Sequence, residues 1–168
     1  MLKILVTGGA GLIGSNVVKR FASLGHEVHV ADNLWRGKLE NLYYNNNPII
    51  DLDSHFHQVD LRNYGDCLSV CKNIDVVIHL ADIVAGINFV FANELFLYRA
   101  NIVMNSNMLH AAIENKVNKY LYVGTACSYP EKMQSELNPP PFKEEDAYPA
   151  SPESAYGWSK LMGEYECE

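Results

Sequence analysis

The feature that most constrains the fold of this chain is a glycine-rich turn, TGGAGLIG, at residues 7–14. It follows a short apolar run at residues 2–7, which predicts a buried strand, and it opens a helical pattern at residues 11–24. The glycines fall in two overlapping registers: Gly8, Gly11 and Gly14, or Gly9, Gly11 and Gly14. Because glycine lets the backbone turn tightly, the sequence predicts a strand, a turn and a helix in immediate succession.

The remainder of the chain continues this alternation of strand and helix. Further strands are predicted at residues 27–32, 55–60, 75–81 and 119–125. Further helices are predicted at residues 64–72, 93–115 and 152–168. The polar residues 33–54 predict a loop with a short helix, and the proline-rich residues 128–152 predict a long irregular loop. The strands are apolar on both faces, which predicts one α/β domain: a Rossmann-type doubly wound parallel sheet of about five strands in the order 3-2-1-4-5.

Two of the predicted helices carry apolar stripes that should face this sheet. In the first helix the stripe consists of Ile13, Val17, Val18, Phe21 and Leu24. In the long helix it consists of Ile102, Ser106, Leu109 and Ile113. Gly25 follows the first helix and is expected to cap its C-terminus.

Composition and charge exclude some classes of function. The chain has 168 residues and a formal net charge of −7, so sequence-independent binding to nucleic acid or to anionic lipid is not expected. The apolar N-terminal run is too short for a signal peptide or a membrane span. The four cysteines form no CxxC pair, and with no export signal predicted a reduced, cytoplasmic setting is the default expectation.

No metal site is predicted from the sequence. Cys67 and Cys71 are spaced as a buried helical stripe, and His79 is expected to be a hydrogen-bonded core histidine. His55 and His57 should point to the same side of a strand, but a zinc site would need two more partners.

The glycine turn gains meaning from Asp32, which ends the second predicted strand. A turn of this kind lets a dinucleotide pyrophosphate rest on the N–H groups at the start of the helix, and an acid at the second strand end accepts hydrogen bonds from a ribose. The charge of Asp32 would repel a 2′-phosphate, so NAD is favoured over NADP. Arg36 is the counter-indication, since a nearby arginine can hold that phosphate.

A second acid follows the third predicted strand, in the run VDLRN at residues 59–63. Asp60 is expected either to line the crevice near an adenine, with Leu61 packing beside it, or to be a plain helix N-cap.

Tyr156 and Lys160 stand four residues apart in SAYGWSK, so a helix makes them neighbours. A nearby ammonium favours tyrosinate, which lowers the pKa of a tyrosine toward that of a working general base. Thr125 lies at the exit of the fifth predicted strand and could complete a catalytic set.

Together these pieces resemble the N-terminal part of the extended short-chain dehydrogenases/reductases, the NAD-dependent nucleotide-sugar epimerase/dehydratase family. The matching segments are TGGAGLIG, ADN at 31–33, VDLRN, IHLAD at 78–82, RANIVMNSN at 99–107, GTACSYP at 124–130 and AYGWSK at 155–160. The resemblance implies that Tyr156 takes a proton from a sugar hydroxyl, that Lys160 holds the nicotinamide ribose, and that Thr125 binds the reacting oxygen. It implies cofactor contacts from Gly8, Gly11, Leu12, Ile13, Gly14, Asp32, Asn33, Asp60, Leu61, Leu80, Ala81 and Asn101, in addition to Tyr156 and Lys160.

Cys127 is the residue that separates subfamilies within this resemblance. The 4,6-dehydratases carry an acid at the matching position, whereas GDP-mannose 3,5-epimerases and GDP-fucose synthases carry a Ser-x-Cys followed by Tyr-Pro. Thr125, Cys127, Tyr129 and Pro130 reproduce the second layout. Cys127 is therefore either an acid/base for protons beside a ketone or a buried small hydrophobe.

The resemblance covers the N-terminal part of longer enzymes that bind a GDP- or UDP-sugar through a further domain. It therefore implies that the substrate domain is absent, that the fifth strand has an unpaired edge, and that turnover by this chain is weak or nil. It also implies a homodimer through helices 93–115 and 152–168. The leading interpretation is an epimerase acting through a 4-keto sugar; the alternatives are a 4,6-dehydratase or 4-reductase, and a dinucleotide-binding module without turnover.

Overall fold

A computed structural model describes residues 1–135, 137–139 and 141–168. These residues form two compact units. The first unit comprises residues 1–82 and 107–122, and the second comprises residues 83–106 and 123–168.

The first unit contains a five-stranded sheet in which every strand is parallel to its neighbours. Its elements in chain order are β1 (Lys3–Thr7), α1 (Leu12–Ser23), β2 (Glu27–Asp32), β3 (Tyr43–Tyr44), β4 (Asn47–Pro48), α2 (Leu52–His55), β5 (Phe56–Gln58), α3 (Tyr64–Val70), β6 (Val76–His79) and β7 (Lys119–Tyr122). The spatial order is β5-β2-β1-β6-β7. Counting the strands of this sheet along the chain, the order is 3-2-1-4-5, which confirms the Rossmann-type prediction.

The core of the first unit lies between the sheet and α1. Val18 of α1 packs with alternate residues of two central strands, chiefly Ile4, Val6, Val28 and Val30. Alternation places these strand residues on one face of the sheet, because successive side chains of a strand point to opposite sides. The helix ends as predicted: Gly25 has φ +80° and donates to the carbonyl of Ala22 at 3.0 Å.

The predicted apolar stripe of α1 is only partly correct. Val18 is buried and Val17 and Phe21 pack against the core, but Ile13 and Leu24 are 68% and 53% exposed. The helix approaches the sheet through the small residues Gly14 and Ser15, so its first turn buries backbone rather than the Ile13 side chain.

The second unit contains α4 (Ile87–Ala92), α6 (Glu131–Gln134), α7 (Ala155–Cys167) and the first part of α5 (Glu94–Glu114), whose last residues belong to the first unit. The predicted stripe of the long helix α5 is wrong. Its buried residues are Leu97, Ala100, Asn101, Met104, Asn105, Met108, Ala111 and Ala112, whereas Ile113 is 66% exposed. The helix has apolar residues around much of its surface, so spacing alone did not identify the buried side.

Other boundaries differ from the prediction for local reasons. Residues 43–48 form a two-stranded hairpin, β3 and β4, in which Asn45 and Asn46 supply the positive φ angles of the turn. The predicted loop at 128–152, of which residues 136 and 140 lie outside the described part, contains the short helix α6. Helix α7 begins at Ala155 rather than at Pro152, because the Ser154 side chain accepts from the N–H of Gly157 and caps it there.

Among the described residues, no helix is long and apolar enough to cross a membrane.

Candidate functional site

The glycine turn brings three stretches of backbone into close contact in the first unit. Gly8 has φ +65°, and a Cβ there would lie 2.9 Å from the backbone nitrogen of Ala81. A Cβ on Gly14 would collide with the carbonyl oxygen of Gly8. The turn is closed by the N–H of Gly11, which donates to the Gly8 carbonyl at 3.0 Å. Glycine is therefore required at positions 8 and 14 of the first register.

The turn leaves the start of α1 open to an anion. Gly11 is the N-cap and offers no side chain to the N–H groups of the first turn, which includes Leu12 and Ile13. The first N–H groups of a helix have no intrahelical partner, and the helix dipole makes this end positive. The first turn of α1 also contains no acidic residue. This arrangement fits a pyrophosphate. Because the glycines have no side chains, the phosphates can approach the backbone N–H groups of the turn closely.

Asp32 lies at the end of β2 and is nearly enclosed, with 8% of its surface exposed. Its carboxylate accepts from the N–H of Ala10 at 3.0 Å and from the N–H of Leu34 at 2.8 Å. A Cβ on Gly37 would lie 2.8 Å from both carboxylate oxygens. Asp32 therefore ties the glycine turn to the loop after β2, and a ribose contact from it stays a prediction. Its neighbour Asn33 is exposed, and its side chain accepts from the N–H of Trp35.

Thr7 is a positioning residue that no sequence pattern predicted. Its hydroxyl lies 2.8 Å from Nδ1 of His79, and it accepts from the N–H groups of Leu80 and Ala81 at 3.1 Å each. Thr7 and His79 are both essentially inaccessible, which confirms that His79 is a hydrogen-bonded core histidine. The network fixes the backbone of Leu80 and Ala81 beside Gly8. The sequence indicates this role only through the presence of a threonine at the end of the strand before the glycine turn.

The N-cap alternative for Asp60 is wrong. Helix α3 is capped by Asn63, whose side chain accepts from the N–H of Gly65 at 2.9 Å. Asp60 instead accepts from Nε of Arg62 at 2.9 Å, and this hydrogen bond lowers the pKa of the Asp60 carboxyl. Leu61 is buried in the first unit with 4% of its surface exposed. Contacts from Asp60 or Leu61 to an adenine stay predictions.

In the second unit, Thr125 and Cys127 share a single 3₁₀ turn at residues 126–128. The Thr125 side chain accepts from the N–H of Cys127 at 3.3 Å, which shapes the turn. Cys127 is exposed, so it is not the buried small hydrophobe that was one of its two interpretations. Ser128 is buried, and its hydroxyl has no hydrogen-bond partner among the described residues.

Helix α7 packs directly on this turn because residue 157 is glycine. A Cβ on Gly157 would collide with the Cys127 carbonyl oxygen and would lie 2.9 Å from Cβ of Pro152. The neighbouring Tyr156 is half-buried and packs against the apolar cluster of Ile83, Val90, Leu97 and Ala100. Gly157 therefore holds the first turn of α7, with Tyr156, against the turn that carries Cys127. The sequence identifies this glycine only as part of the AYGWSK segment, because its close contact lies far away along the chain.

Lys160 and Asn101 are buried residues of the same unit. Lys160 lies one turn after Tyr156 on α7 and is 5% exposed. Asn101 binds the backbone of Ile83 twice: its Oδ1 accepts from the N–H at 2.8 Å and its Nδ2 donates to the carbonyl at 3.1 Å. Asn101 thus holds the segment that follows Asp82, and a direct cofactor contact stays a prediction.

The cysteines divide into two chemical classes. Burial raises the pKa of Cys67 and Cys71 to about 12, and both thiols belong to the core, as their spacing predicted. Cys127 and Cys167 are exposed residues. Partial burial of the Cys167 thiol, together with the nearby Glu166 and Glu164, raises the pKa of that thiol. Of the cysteines, only Cys127 combines exposure with a place beside Thr125 and α7.

Comparison with known proteins agrees with this geometry. Residues 4–168 match the NAD dependent epimerase/dehydratase family. The chain is 38% identical to GDP-mannose 3,5-epimerase 1 of Oryza sativa subsp. indica over 99% of its own length and 42% of the relative's. A UDP-N-acetylglucosamine 4-epimerase from Methanobrevibacter ruminantium, solved with UDP-N-acetylmuramic acid, superposes with a TM-score of 0.82 at 28% identity, covering 99% of this chain and 49% of that one. A UDP-glucose 4-epimerase of Thermus thermophilus, solved with NAD, gives 0.77 at 29% identity, covering 99% and 50%.

The chain therefore spans about half the length of the proteins that it matches. The family match nevertheless includes the glycine turn, the Thr125–Cys127 turn and helix α7. This chain belongs to the NAD dependent epimerase/dehydratase family.

Proposed function

We propose that the chain carries the cofactor-binding and catalytic part of an NAD-dependent nucleotide-sugar epimerase that acts through transient oxidation at sugar C4. The observation that carries the proposal is the packing of α7 on the Thr125–Cys127 turn through Gly157. This packing gathers a tyrosine, a threonine and an exposed thiol within one unit that also buries Lys160. A binding module without turnover would have no use for that set.

Each side chain of the set has a distinct task in the proposed reaction. Tyr156 takes the proton of the C4 hydroxyl as general base, and Thr125 hydrogen-bonds the same oxygen as it becomes a ketone. Lys160 favours the tyrosinate form of Tyr156 electrostatically. When bound, NAD supplies reversible two-electron oxidation of the substrate. Return of the electrons and the proton then restores the alcohol.

The exposed thiol of Cys127 extends this chemistry to the neighbouring carbons. A C4 ketone acidifies the C–H bonds at C3 and C5, and the Cys127 side chain exchanges one of these protons on the face of the sugar that it lines, as thiolate base or as thiol acid, while a second acid/base serves the opposite face. The similarity to a GDP-mannose 3,5-epimerase supports this version. A simple 4-epimerase, which would leave Cys127 without a role, is the second candidate, and the solved 4-epimerases support it.

The cofactor half of the proposal is tested by calorimetric titration of the chain with NAD and with NADP. NAD should bind more tightly, because the carboxylate of Asp32 would oppose a 2′-phosphate. Asp32→Asn should reduce the preference for NAD over NADP, because it removes the negative charge while keeping one hydrogen-bond acceptor. Tighter binding of NADP by the unmodified chain would contradict the role given to Asp32.

The catalytic half is tested by single-turnover reactions with NAD and either a GDP-hexose or a UDP-hexose in deuterated water, with the chain in excess over the sugar so that the slow turnover expected from the sequence is still detected. Deuterium should appear at C3 or C5 of the accepted sugar, and Cys127→Ala should abolish it, while the other exposed thiol serves as control in Cys167→Ala. C4 inversion without label at C3 or C5 would select the simple 4-epimerase. Label that is unchanged in Cys127→Ala would end the acid/base role.

We also propose that the chain forms a homodimer through α5 and α7. Both helices expose large apolar side chains, including Leu95 at 80%, Phe96 at 47% and Tyr165 at 64%. Surfaces of this kind mark protein contacts in soluble chains. Light scattering should give twice the mass of the chain, and Leu95→Glu with Phe96→Glu should give the monomer mass. A monomer at all concentrations would contradict the proposal.

A further inference from the structure

We propose that the first unit holds a divalent transition-metal site, of the kind that takes Zn²⁺, formed by Glu27, His29 and His55 and oriented by His57. One ligand atom from each of Glu27, His29 and His55 lies within 4.8 Å of the other two. The sequence predicted no metal here because only His55 and His57 could be paired. The two missing partners come from a neighbouring strand.

The sheet register explains how these residues meet. Glu27 and His29 are alternate residues of β2, so their side chains share one face of the sheet. In the parallel pairing of β2 with β5, Val30 lies opposite Phe56 and Ala31 opposite His57. Because Val30 faces the core under α1, the adjacent residue His29 lies on the opposite face, together with His57, which pairs with Ala31. His55 is the last residue of α2, immediately before β5, and its side chain reaches the same cluster. The backbone N–H of His55 is also fixed, since it donates to the Asp51 carbonyl at 2.8 Å.

The distances suit a small cation. Oε1 of Glu27 lies 3.1 Å from Nε2 of His29. Two ligands of a tetrahedral zinc ion, each about 2.0–2.1 Å from the metal, are about 3.3 Å apart. The ring of His55 is close as well, with its centroid 4.4 Å from that of His29. Small side-chain rotations would bring all three ligand atoms onto one ion.

His57 completes the site as an orienting residue. Its Nε2 lies 3.2 Å from Nδ1 of His29, and the two rings are stacked within 5° of parallel. A metal-bound histidine commonly uses its second ring nitrogen for a hydrogen bond that fixes the tautomer and the ring plane. The Nδ1–H of His29 can donate to His57 in this way, which leaves Nε2 of His29 for the metal.

The chemistry of the ligands selects the class of metal. Two imidazoles and one carboxylate suit zinc, nickel, cobalt and copper, whereas Mg²⁺ and Ca²⁺ prefer oxygen ligands only. The Glu27 and His29 side chains are 22% and 17% exposed, so an ion can enter and a fourth position remains for water. The competing cation is Lys3, whose Nζ lies 3.1 Å from the same Oε1 of Glu27. Lys3 is 46% exposed and can move away.

The proposal is independent of the sugar chemistry, and its test is metal binding by the whole chain. Exposed thiols also bind zinc, so Cys127→Ser/Cys167→Ser is the common background. After removal of metal with a chelator, calorimetric titration with Zn²⁺ should show one site per chain. His55→Ala should weaken binding by at least about 100-fold, and His57→Ala by about 10- to 100-fold. Lys3→Gln should strengthen it.

Two further measurements keep the result unambiguous. His110→Ala is the matched control, because His110 is 62% exposed on α5, pairs with Glu114 and lies outside the cluster. The Zn²⁺ affinity of this variant should equal that of the background protein. Glu27→Gln keeps the size of the side chain and should weaken binding in a folded protein, as circular dichroism would verify. Absence of one-to-one Zn²⁺ binding, or equal affinity in His55→Ala, Glu27→Gln and His110→Ala, would overturn the proposal.

Discussion

The glycine turn of the first unit and the Thr125–Cys127 turn of the second are built in different ways. In the first, residues far apart in sequence fix each other: Asp32 holds the N–H of Ala10, and Thr7 holds those of Leu80 and Ala81. In the second, the hydrogen bonds that shape the turn join residues two or three apart: the N–H of Cys127 donates to the Thr125 side chain, and the N–H of Ser128 donates to the Thr125 carbonyl. The glycine turn is therefore part of the core of its unit. The Thr125–Cys127 turn depends on one close contact with Gly157 of α7.

The difference should appear most strongly in the reactivity of the thiols. Burial raises the pKa of Cys67 and Cys71 to about 12, so at pH 8 only about one molecule in 10,000 carries either thiolate. Cys127 is exposed. Iodoacetamide should therefore modify Cys127 at least about 1,000-fold faster than either core cysteine in the native protein. Labelling of the core thiols should rise by about tenfold for each pH unit and level off near their pKa, because the thiolate fraction follows that course.

Peptide mapping by mass spectrometry at successive times would measure these rates. The denatured chain is the control, because all four cysteines should then react alike. Equal rates in the native protein would show that the core of the first unit is not closed.

The next largest difference between the two regions should be in how much a substitution lowers the free energy of unfolding. Asp32→Ala removes the acceptor from two backbone N–H groups, and losing each such bond to a charged group costs about 1.5–3 kcal/mol. The free energy of unfolding should fall by about 3–6 kcal/mol. Urea denaturation would measure it, with Asp60→Ala as control, since Asp60 pairs with Arg62 at the surface. A loss below 1 kcal/mol in Asp32→Ala would contradict the role of the carboxylate as a structural tie.

Gly157→Ala probes the single close contact of the second unit. A methyl group there meets the Cys127 carbonyl, so we expect a loss of about 1–3 kcal/mol in unfolding free energy and impaired turnover. Gly86→Ala is the matched control, since a Cβ at Gly86 meets nothing within 4 Å and its φ is −60°. Denaturation and single-turnover rates should be compared for both. Equal effects of the two substitutions would show that the contact does not position α7.

The smallest effect should come from the pair of Asp60 and Arg62. Hydrogen bonding to Arg62 lowers the pKa of Asp60, so the folded state binds fewer protons than the unfolded state. The stabilisation is present above the unfolded pKa of about 3.9 and is lost as pH falls through the folded pKa. Both side chains are about 40% exposed, so solvent limits the contribution to below about 1 kcal/mol. Urea midpoints between pH 2 and 6 should therefore differ slightly between the native chain and Asp60→Asn; a large difference would mean that the pair is shielded.

The sequence predicted local features well and the register between distant segments poorly. The glycine turn and Asp32 at the strand end follow from patterns within short windows, and the strand order follows from the regular alternation of strands and helices; all three were confirmed. The hairpin at 43–48 was missed because its strands have two residues each, although Asn45-Asn46 was an available turn signal. The cluster of His29 with His55 was missed because it depends on the pairing of β2 with β5.

The same limit applied to the candidate site. Tyr156 and Lys160 were correctly placed on one helix because their spacing is local. The requirement for glycine at 157 depends on a carbonyl 30 positions earlier in the chain, and no spacing rule identifies it. The predicted stripe of α5 was wrong because polarity did not decide which side is buried: Asn101 and Asn105 are buried, whereas Leu95 is exposed.

The most direct test of the central claim is Tyr156→Phe, assayed for NAD affinity and for formation of reduced nicotinamide after addition of a nucleotide-sugar. Phenylalanine keeps the ring that packs on the apolar cluster and removes only the hydroxyl. We predict that NAD affinity falls by less than about tenfold, whereas the rate of reduction falls by about 10²- to 10⁴-fold, the usual contribution of a general base. An unchanged rate of reduction in Tyr156→Phe would contradict the account.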